Sequence, residues 1–436
     1  MSYTRRRLLG SGLAVAAASV AGCASERYRW SPKAAEPVST SEGVGPSGTP
    51  EPSVVPSGSS GADTPLARLL RKYLAPTPEN PGHPMYAGAV VLAMVNGTVT
   101  AQAAVGDALR FKAGPVELSE AQRVPVKMSS IFDIASITKV YTAILALQQV
   151  DKGRLDLAAP VAGYLPAFDG PGKSGITVAQ LLTHTAALPV GAKVSGLSSL
   201  DAKRQAVLAT PLMAGAAVGD GFRYSSVGLM VLAQLVEQLT GQGLDQALRA
   251  GLTNPLGLKD TGFLPKTWMS ASAIAERMVA TDARSSRGLL RGVVHDDVAN
   301  SLGGVAGHAG IFASAADLAV IGQMLLNNGV HQGKRVLSEA SVQKMVTNAN
   351  QGLPAYDPER PGRPSDHGLG MPTNQPWLMG KLASPEAFGH SGFTGTSLVV
   401  CRRRKLVLVL LTNRAHPNWS WANPDPVRVA VGNLFA

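Results

Sequence analysis

The strand-like segments of this 436-residue chain lie at its two ends, and the long section between them is helix-like. Near the start, Ala87 to Val95 and Thr98 to Ala104 flank Asn96-Gly97, the dipeptide favoured in a two-residue hairpin turn. Near the end, Thr396 to Cys401 and Leu406 to Thr412 repeat the apolar strand character. Between them, Val140 to Val150, Gly228 to Leu239 and Leu318 to Leu326 carry apolar residues at three- and four-residue spacing, as helices do. Leu66 to Leu74, closed by Pro76 and Pro78, and Asp425 to Phe435 are expected to be terminal helices. A sheet begun at one end must therefore wait for its other strands until a helical insertion has been made. Periodicity alone stops there, at mixed α and β.

Chemistry enters with Ser136-Ile137-Thr138-Lys139. Residues three apart share a helical face, so the Lys139 amine can fold back onto the Ser136 hydroxyl. Serine is a poor nucleophile until something takes its proton, and a lysine does so where burial or neighbouring charge lowers its pKa. Alone the tetrad equally describes a solvated helix face. Two further motifs accompany it, Tyr224-Ser225-Ser226 and His390-Ser391-Gly392.

In this order and spacing the three motifs resemble those of the class C β-lactamase and D-alanyl-D-alanine carboxypeptidase family of serine hydrolases, which also contains esterases. The likeness runs from about Tyr86 to Asn413 and includes Val178-Ala179-Gln180-Leu181-Leu182-Thr183-His184-Thr185 and Leu302-Gly303-Gly304-Val305-Ala306-Gly307-His308. It implies an α+β, β-lactamase/transpeptidase-like fold: an antiparallel sheet flanked by the terminal helices, an all-helical lobe, and an active site in the cleft between. The sheet lobe is expected over about 63–125 and 380–436, the helical lobe over about 126–379. By the same resemblance Ser136 forms an acyl-enzyme, and Lys139 or Tyr224 serves as general base, an alternative the residues leave open. His390 is expected to be a cationic or hydrogen-bonding group facing a substrate carboxylate, beside Ser391. Gly392 lets substrate backbone approach the strand, and the N–H groups of Ser136 and Phe393 form the oxyanion hole. One position departs from the pattern: Ser226 stands where family β-lactamases and peptidases most often carry asparagine. That weakens the case for β-lactams and D-alanyl peptides without displacing them: they remain the first expected substrates, with carboxylic esters as the alternative and other amides after both.

The first 62 residues read as targeting rather than fold. Thr4-Arg5-Arg6-Arg7-Leu8-Leu9 opens a short apolar stretch ending at Val20-Ala21-Gly22-Cys23. That stretch is too short for the ~20 residues of a permanent span, so 1–22 is expected to be an export signal peptide with a lipobox, its twin arginine pointing to the folded-protein export route. Cys23 would be lipidated, tethering the chain to the outer face of the bacterial cytoplasmic membrane. Residues 23–62, rich in Pro, Ser and Gly, are expected to be a disordered stalk of roughly 35 Å reach, leaving 63–436 as the hydrolase domain.

Composition narrows the partners. The net charge is +11, and removing the leader's three arginines from 40 basic residues leaves 37 against 29 acidic ones, or +8. This suits an anionic membrane or wall polymer, but no basic run is interleaved with aromatics, so no nucleic acid is expected. The cluster Arg402 to Lys405 sits between two apolar stretches and is expected to be a solvated turn, with Cys401 a buried strand residue. No metal is expected: His295, Asp296 and His308 lack the spacing of a metal helix, and His184 is expected to hydrogen-bond within a turn. The glycines at 303, 304 and 307 lack the βαβ context of a dinucleotide site, so no cofactor is expected either. The expected partner is a small-molecule or peptide substrate; oligomeric state is not legible. A non-catalytic wall-peptide-binding lipoprotein is the contrasting reading, and the joint presence of Ser136, Lys139, Tyr224 and His390 speaks against it.

Overall fold

A computed structural model describes residues 64–436. The expected export signal, Cys23 and the whole of the expected stalk, 23–62, lie outside the described residues. Helix α1 (Pro65–Lys72) starts at Thr64, whose hydroxyl accepts the Ala67 N–H at 3.1 Å, and Pro65 occupies the first helical position, where no N–H is needed. Strand β1 (Gly88–Val95) turns at Asn96 and Gly97, with φ of 53° and 78°, into β2 (Thr98–Leu109). Both turn residues thus adopt the left-handed conformation that this dipeptide tolerates. Val124–Pro125 forms β3, Ala387–Ser391 β4, Ser397–Cys401 β5 and Leu406–Thr412 β6.

All six strands make one antiparallel sheet in the order β4-β5-β6-β1-β2-β3. The join between the chain's two ends is β1 against β6, in register from Ala89↔Thr412 to Val95↔Leu406. Both faces are covered, which is why β5 and β6 read as continuous apolar runs. Ala89, Val91, Val399, Cys401, Leu406, Leu408 and Leu410 pack with Leu66 and Leu70 of α1 and Val427 and Val431 of the C-terminal helix. Val90, Leu92, Leu398, Val400, Val407 and Val409 face the opposite core. Each fully buried Leu or Val there is worth roughly 1.5–3 kcal/mol. The Arg402–Arg404 turn between β5 and β6 leaves Arg403 and Arg404 exposed, and Cys401 is a buried free thiol.

The second core is built around α2 (Thr138–Asp151), buried on nearly every side, with α3 (Ser226–Thr240) packed against it. Helix α4 (Ala315–Leu326) brings this core onto the sheet: a Cβ added at Gly322 would sit 2.6 Å from Val407, so the close approach needs glycine there. The C-terminal helix, α5 (Asp425–Leu434), closes the outer face. Short strands also occur within the mostly helical section. Phe132–Asp133, Ile311–Ala313 and Thr261–Phe263 form a small three-stranded sheet, invisible to periodicity because each is only two or three residues long.

Candidate active site

Ser136 lies in a single 3-10 turn, Ala135–Ile137, that runs directly into α2. The turn opens on Ala135 at φ 47°, a conformation costly for a residue with a Cβ, and the surroundings hold it there. Asp133, fully buried, accepts the Ala135 N–H on Oδ1 and the His295 N–H on Oδ2, each at 2.8 Å. Burial pushes the Asp133 carboxyl up, and those two donors oppose the shift. The following helical turn is tied to the 307–311 segment: Thr142 donates to Gly307 O at 2.8 Å, and Thr138 Oγ1 accepts the Ile311 N–H at 3.2 Å. The segment Leu302 to His308 therefore borders the site.

Lys139 is 1% exposed, whereas Ser136 is partly open. Its Nζ lies 3.0 Å from Ser136 Oγ and 3.1 Å from His308 O, and 4.9 Å from the centre of the Tyr224 ring. The amine is thus fixed between the nucleophile, one carbonyl and one aromatic face. His308 is itself held by Asp296, Nε2 to Oδ1 at 3.0 Å. Among the described residues no three metal-ligating side chains converge.

Tyr224 is the last residue but one before α3. Ser225 caps that helix, its Oγ accepting the Gly228 N–H at 3.1 Å and donating to Pro189 O at 2.8 Å. The Ser225 N–H donates to His184 Nδ1 at 3.1 Å, and the His184 ring lies 4.8 Å from that of Tyr224. His184 therefore does not bond within its own turn, as the sequence suggested; it orients the tyrosine motif. Burial, followed by its charged neighbours, holds its pKa well below the ordinary value, so it is neutral with Nδ1 as acceptor. Among the described residues the Tyr224 hydroxyl has no hydrogen-bond partner, which leaves it available to a substrate. Ser226 is buried as the first residue of α3, with its N–H on Val190 O at 3.1 Å, and its hydroxyl bonds none of Ser136, Lys139 or Tyr224.

The third wall is the end of β4. His390 pairs with Leu398, Ser391 with Ser397, and the chain then turns tightly, Gly392 N–H to Thr396 O at 2.8 Å. Thr394 donates to Asp133 O at 2.7 Å and Thr396 to Ile134 O at 3.2 Å, stitching this turn to the residues just before Ser136. Arg428 of α5, ion-paired with Asp425, donates to Gly392 O at 2.7 Å and Thr396 O at 3.1 Å. A Cβ at Gly392 would meet Thr396 Oγ1 at 2.1 Å and Ile134 O at 2.5 Å. The glycine is thus required by the contact between strand and nucleophile turn, a reason separate from room for substrate. The Phe393 N–H donates to no acceptor among the described residues, as an oxyanion donor would.

His390 is 3% exposed, and its ring lies 6.5 Å from that of Tyr224. Burial and then the Lys139 charge push its pKa well below the ordinary value. Its Nδ1 lies 2.8 Å from Ser391 O, so Nδ1 carries the proton and the buried, unpartnered Nε2 presents a lone pair. Of the two expectations for this residue, cation or hydrogen-bonding group, the site favours the second. A neutral imidazole with an acceptor facing inward attracts an N–H or O–H and gives a carboxylate no charge to pair with.

Asp133, Thr394 and Thr396 escaped the sequence reading, and His184 was noticed without its link to the tyrosine motif. Apart from the Asp133–Ala135 bond, the partners that place them lie 41 to 262 residues away, so no local spacing marks them. A surface cavity of about 580 Å³ lined by Tyr164, Arg204, Gln234 and Glu237 shares none of the site's residues.

A family model described as Beta-lactamase matches residues 66–433. A Bacillus subtilis (strain 168) protein named N-acetylmuramyl-L-alanine amidase is 32% identical over 364 residues, 76% of this chain and 78% of the relative. A protein of Escherichia coli (strain K12), provisionally named a D-alanyl-D-alanine carboxypeptidase, is 30% identical over 72% of this chain and 76% of its own. Among solved structures, that of EstCE1, a hydrolase with promiscuous acyltransferase activity, superposes with a TM-score of 0.61 at 20% identity, covering 84% of this chain and 97% of the other, and so shares the fold.

Proposed function

The chain belongs to the beta-lactamase family of hydrolases, and we propose that it is a serine hydrolase that cleaves amide bonds of wall-derived substrates through an acyl-enzyme on Ser136. The observation that carries this reading is the 3.0 Å contact between Ser136 Oγ and the buried Lys139 Nζ. Lys139, whose amine touches Oγ, takes the hydroxyl proton in its unprotonated form as Oγ attacks the substrate carbonyl. The Ser136 and Phe393 N–H groups stabilise the oxyanion, each such donor contributing on the order of 3 kcal/mol. As the C–N bond breaks, Tyr224 gives its hydroxyl proton to the leaving nitrogen. It takes back the proton that Lys139 accepted from Ser136, so both groups are restored before water enters. Water then releases the acid and restores the serine.

The neutral His390 weighs on the substrate. A D-alanyl-D-alanine carboxypeptidase must hold a terminal carboxylate, and His390 supplies no cation for it. An amide whose leaving group is a peptide amine, as in the name of the Bacillus subtilis relative, asks for no such charge. D-alanyl peptides and β-lactams are the second reading, supported by the Escherichia coli relative. Carboxylic esters follow as the least demanding acyl donors. Location is part of the proposal: the basic start, apolar stretch and Cys23 support a lipid-anchored protein on the outer face of the membrane.

The test is intact-mass spectrometry and product analysis of wild type and Ser136→Ala with four acyl donors: a muramyl-L-alanyl amide, a D-alanyl-D-alanine peptide, a penicillin and a short-chain ester. Turnover or an adduct that disappears in Ser136→Ala supports the mechanism. Turnover that survives in Ser136→Ala refutes it, as does inertness toward all four.

A further inference from the structure

Phe393, whose N–H is proposed to hold the oxyanion, carries a ring that is 43% exposed. Trp419, 40% exposed, lies beside it with ring centres 5.7 Å apart and planes tilted by 55°. Large aromatic faces left uncovered next to a reaction site lose the favourable burial that usually draws them inward, and such patches mark ligand contacts. The two rings are anchored: Trp419 shares a 3-10 turn with Trp421, which stacks on His83 at 4.0 Å, and the His295 ring lies 5.4 Å from Phe393.

Arg414 completes the patch. Its guanidinium carbon is 4.4 Å from the centre of the Phe393 ring, and the group donates to Trp419 O. Among the described residues no carboxylate lies within ion-pair distance of it, and its Nε has no hydrogen-bond partner. The contrast is Arg284, 5.9 Å from the Trp419 ring, whose charge is already taken up by Asp282 through three contacts of 2.7 to 3.1 Å. Beside the proposed oxyanion donor, then, lie two part-exposed aromatic rings and a cation that no acid among the described residues neutralises.

A pyranose has the matching chemistry: an apolar face of C–H bonds to lie on an aromatic ring, and a rim of hydroxyl and N-acetyl oxygens to accept from a guanidinium. We infer that Phe393, Trp419 and Arg414 form a saccharide subsite, which holds an amino sugar carrying the scissile carboxamide on an ether-linked arm. The inference rests on the acyl-enzyme reading for its orientation: the sugar belongs to the acyl half, within a few bonds of the oxyanion. Hydrolysis then adds water across the C–N bond, leaving the acid on the sugar and releasing the amine of the peptide. A peptide acyl group would bring no comparable ring to this shelf.

The test is calorimetric titration of the full chain carrying Ser136→Ala, which binds without turning over, with an N-acetylmuramyl-L-alanyl amide and with the same amide bearing a lactyl group and no sugar. The sugar is expected to tighten binding about tenfold, the scale of one good aromatic contact. Adding Trp419→Ala should erase that difference, and adding Trp419→Phe should keep most of it, which separates loss of the ring from loss of the fold. Equal binding of the two ligands, or a preference that survives Trp419→Ala, overturns the subsite. Failure of the acyl-enzyme reading would appear elsewhere, as turnover persisting in Ser136→Ala.

Discussion

Acidification should weaken this protein through histidines that it buries in neutral form. His367 is completely buried, and desolvation is the first cause that pushes its pKa down to about 3; His416, whose Nε2 accepts the Arg110 and Phe111 N–H groups, is pushed by burial down to about 4. In the unfolded chain each returns to about 6.5. Between these values the unfolded state binds the extra proton, so stability is fully present above pH 6.5 and is lost as pH falls toward the folded values. At pH 5 the loss is about 2 kcal/mol for each, or about 4 kcal/mol together, against a total stability on the order of 5–15 kcal/mol. His184, His308 and His390 are depressed in the same sense and add to the effect. For a domain of this size 1 kcal/mol corresponds to roughly 1–2 °C in Tm, so the two histidines alone predict a fall of about 5 °C between pH 7.5 and 5. The assay is thermal melting of wild type and His416→Gln across that range. The variant is less stable at pH 7.5, but its deficit should narrow by roughly 2–3 °C at pH 5, because glutamine has no proton to take up. A deficit that stays constant, or a wild-type Tm that is flat from pH 7.5 to 5, would refute the reasoning.

Two other outcomes follow from local geometry. Gly392→Ala puts a methyl 2.1 Å from Thr396 Oγ1 and 2.5 Å from Ile134 O, so the turn must leave the nucleophile segment. Overpacking of this kind costs about 1–3 kcal/mol, and the initial rate of ester hydrolysis should drop more than a hundredfold, with roughly 3 kcal/mol of oxyanion stabilisation lost; a variant of near wild-type rate would show that the contact is not required. Cys23→Ser should abolish incorporation of labelled palmitate and release the protein from the membrane fraction; label retained in the variant would rule out Cys23 as the anchor.

Much of the fold was legible in short-range pattern. The Asn96-Gly97 turn, the strands at both ends and the helices at Thr138–Asp151, Ser226–Thr240 and Ala315–Leu326 all follow from residues within a few positions of one another. So does the Ser136–Lys139 pair, because a spacing of three on a helix is itself a contact. Family resemblance carried Tyr224 and His390 into the reading by their motifs, though no spacing says that they approach Ser136.

What the chain alone left open depends on burial and on contacts across hundreds of residues. The charge of His390 is of this kind, since an imidazole is cationic or neutral according to the solvent and charges around it, and those come from its own strand, from Lys139 and from the 363–367 segment. Asp133 reads as one acid among 29 until folding places the Ala135 and His295 amides on its two oxygens. The shelf of Phe393, Trp419 and Arg414 likewise exists only once β4 and the segment after β6 have folded side by side. Local sequence determines element type because propensity and periodicity act within a turn or two of chain. The protonation states and the shape of the cleft are decided by the tertiary structure, because desolvation and long-range hydrogen bonds come into being only when distant segments meet.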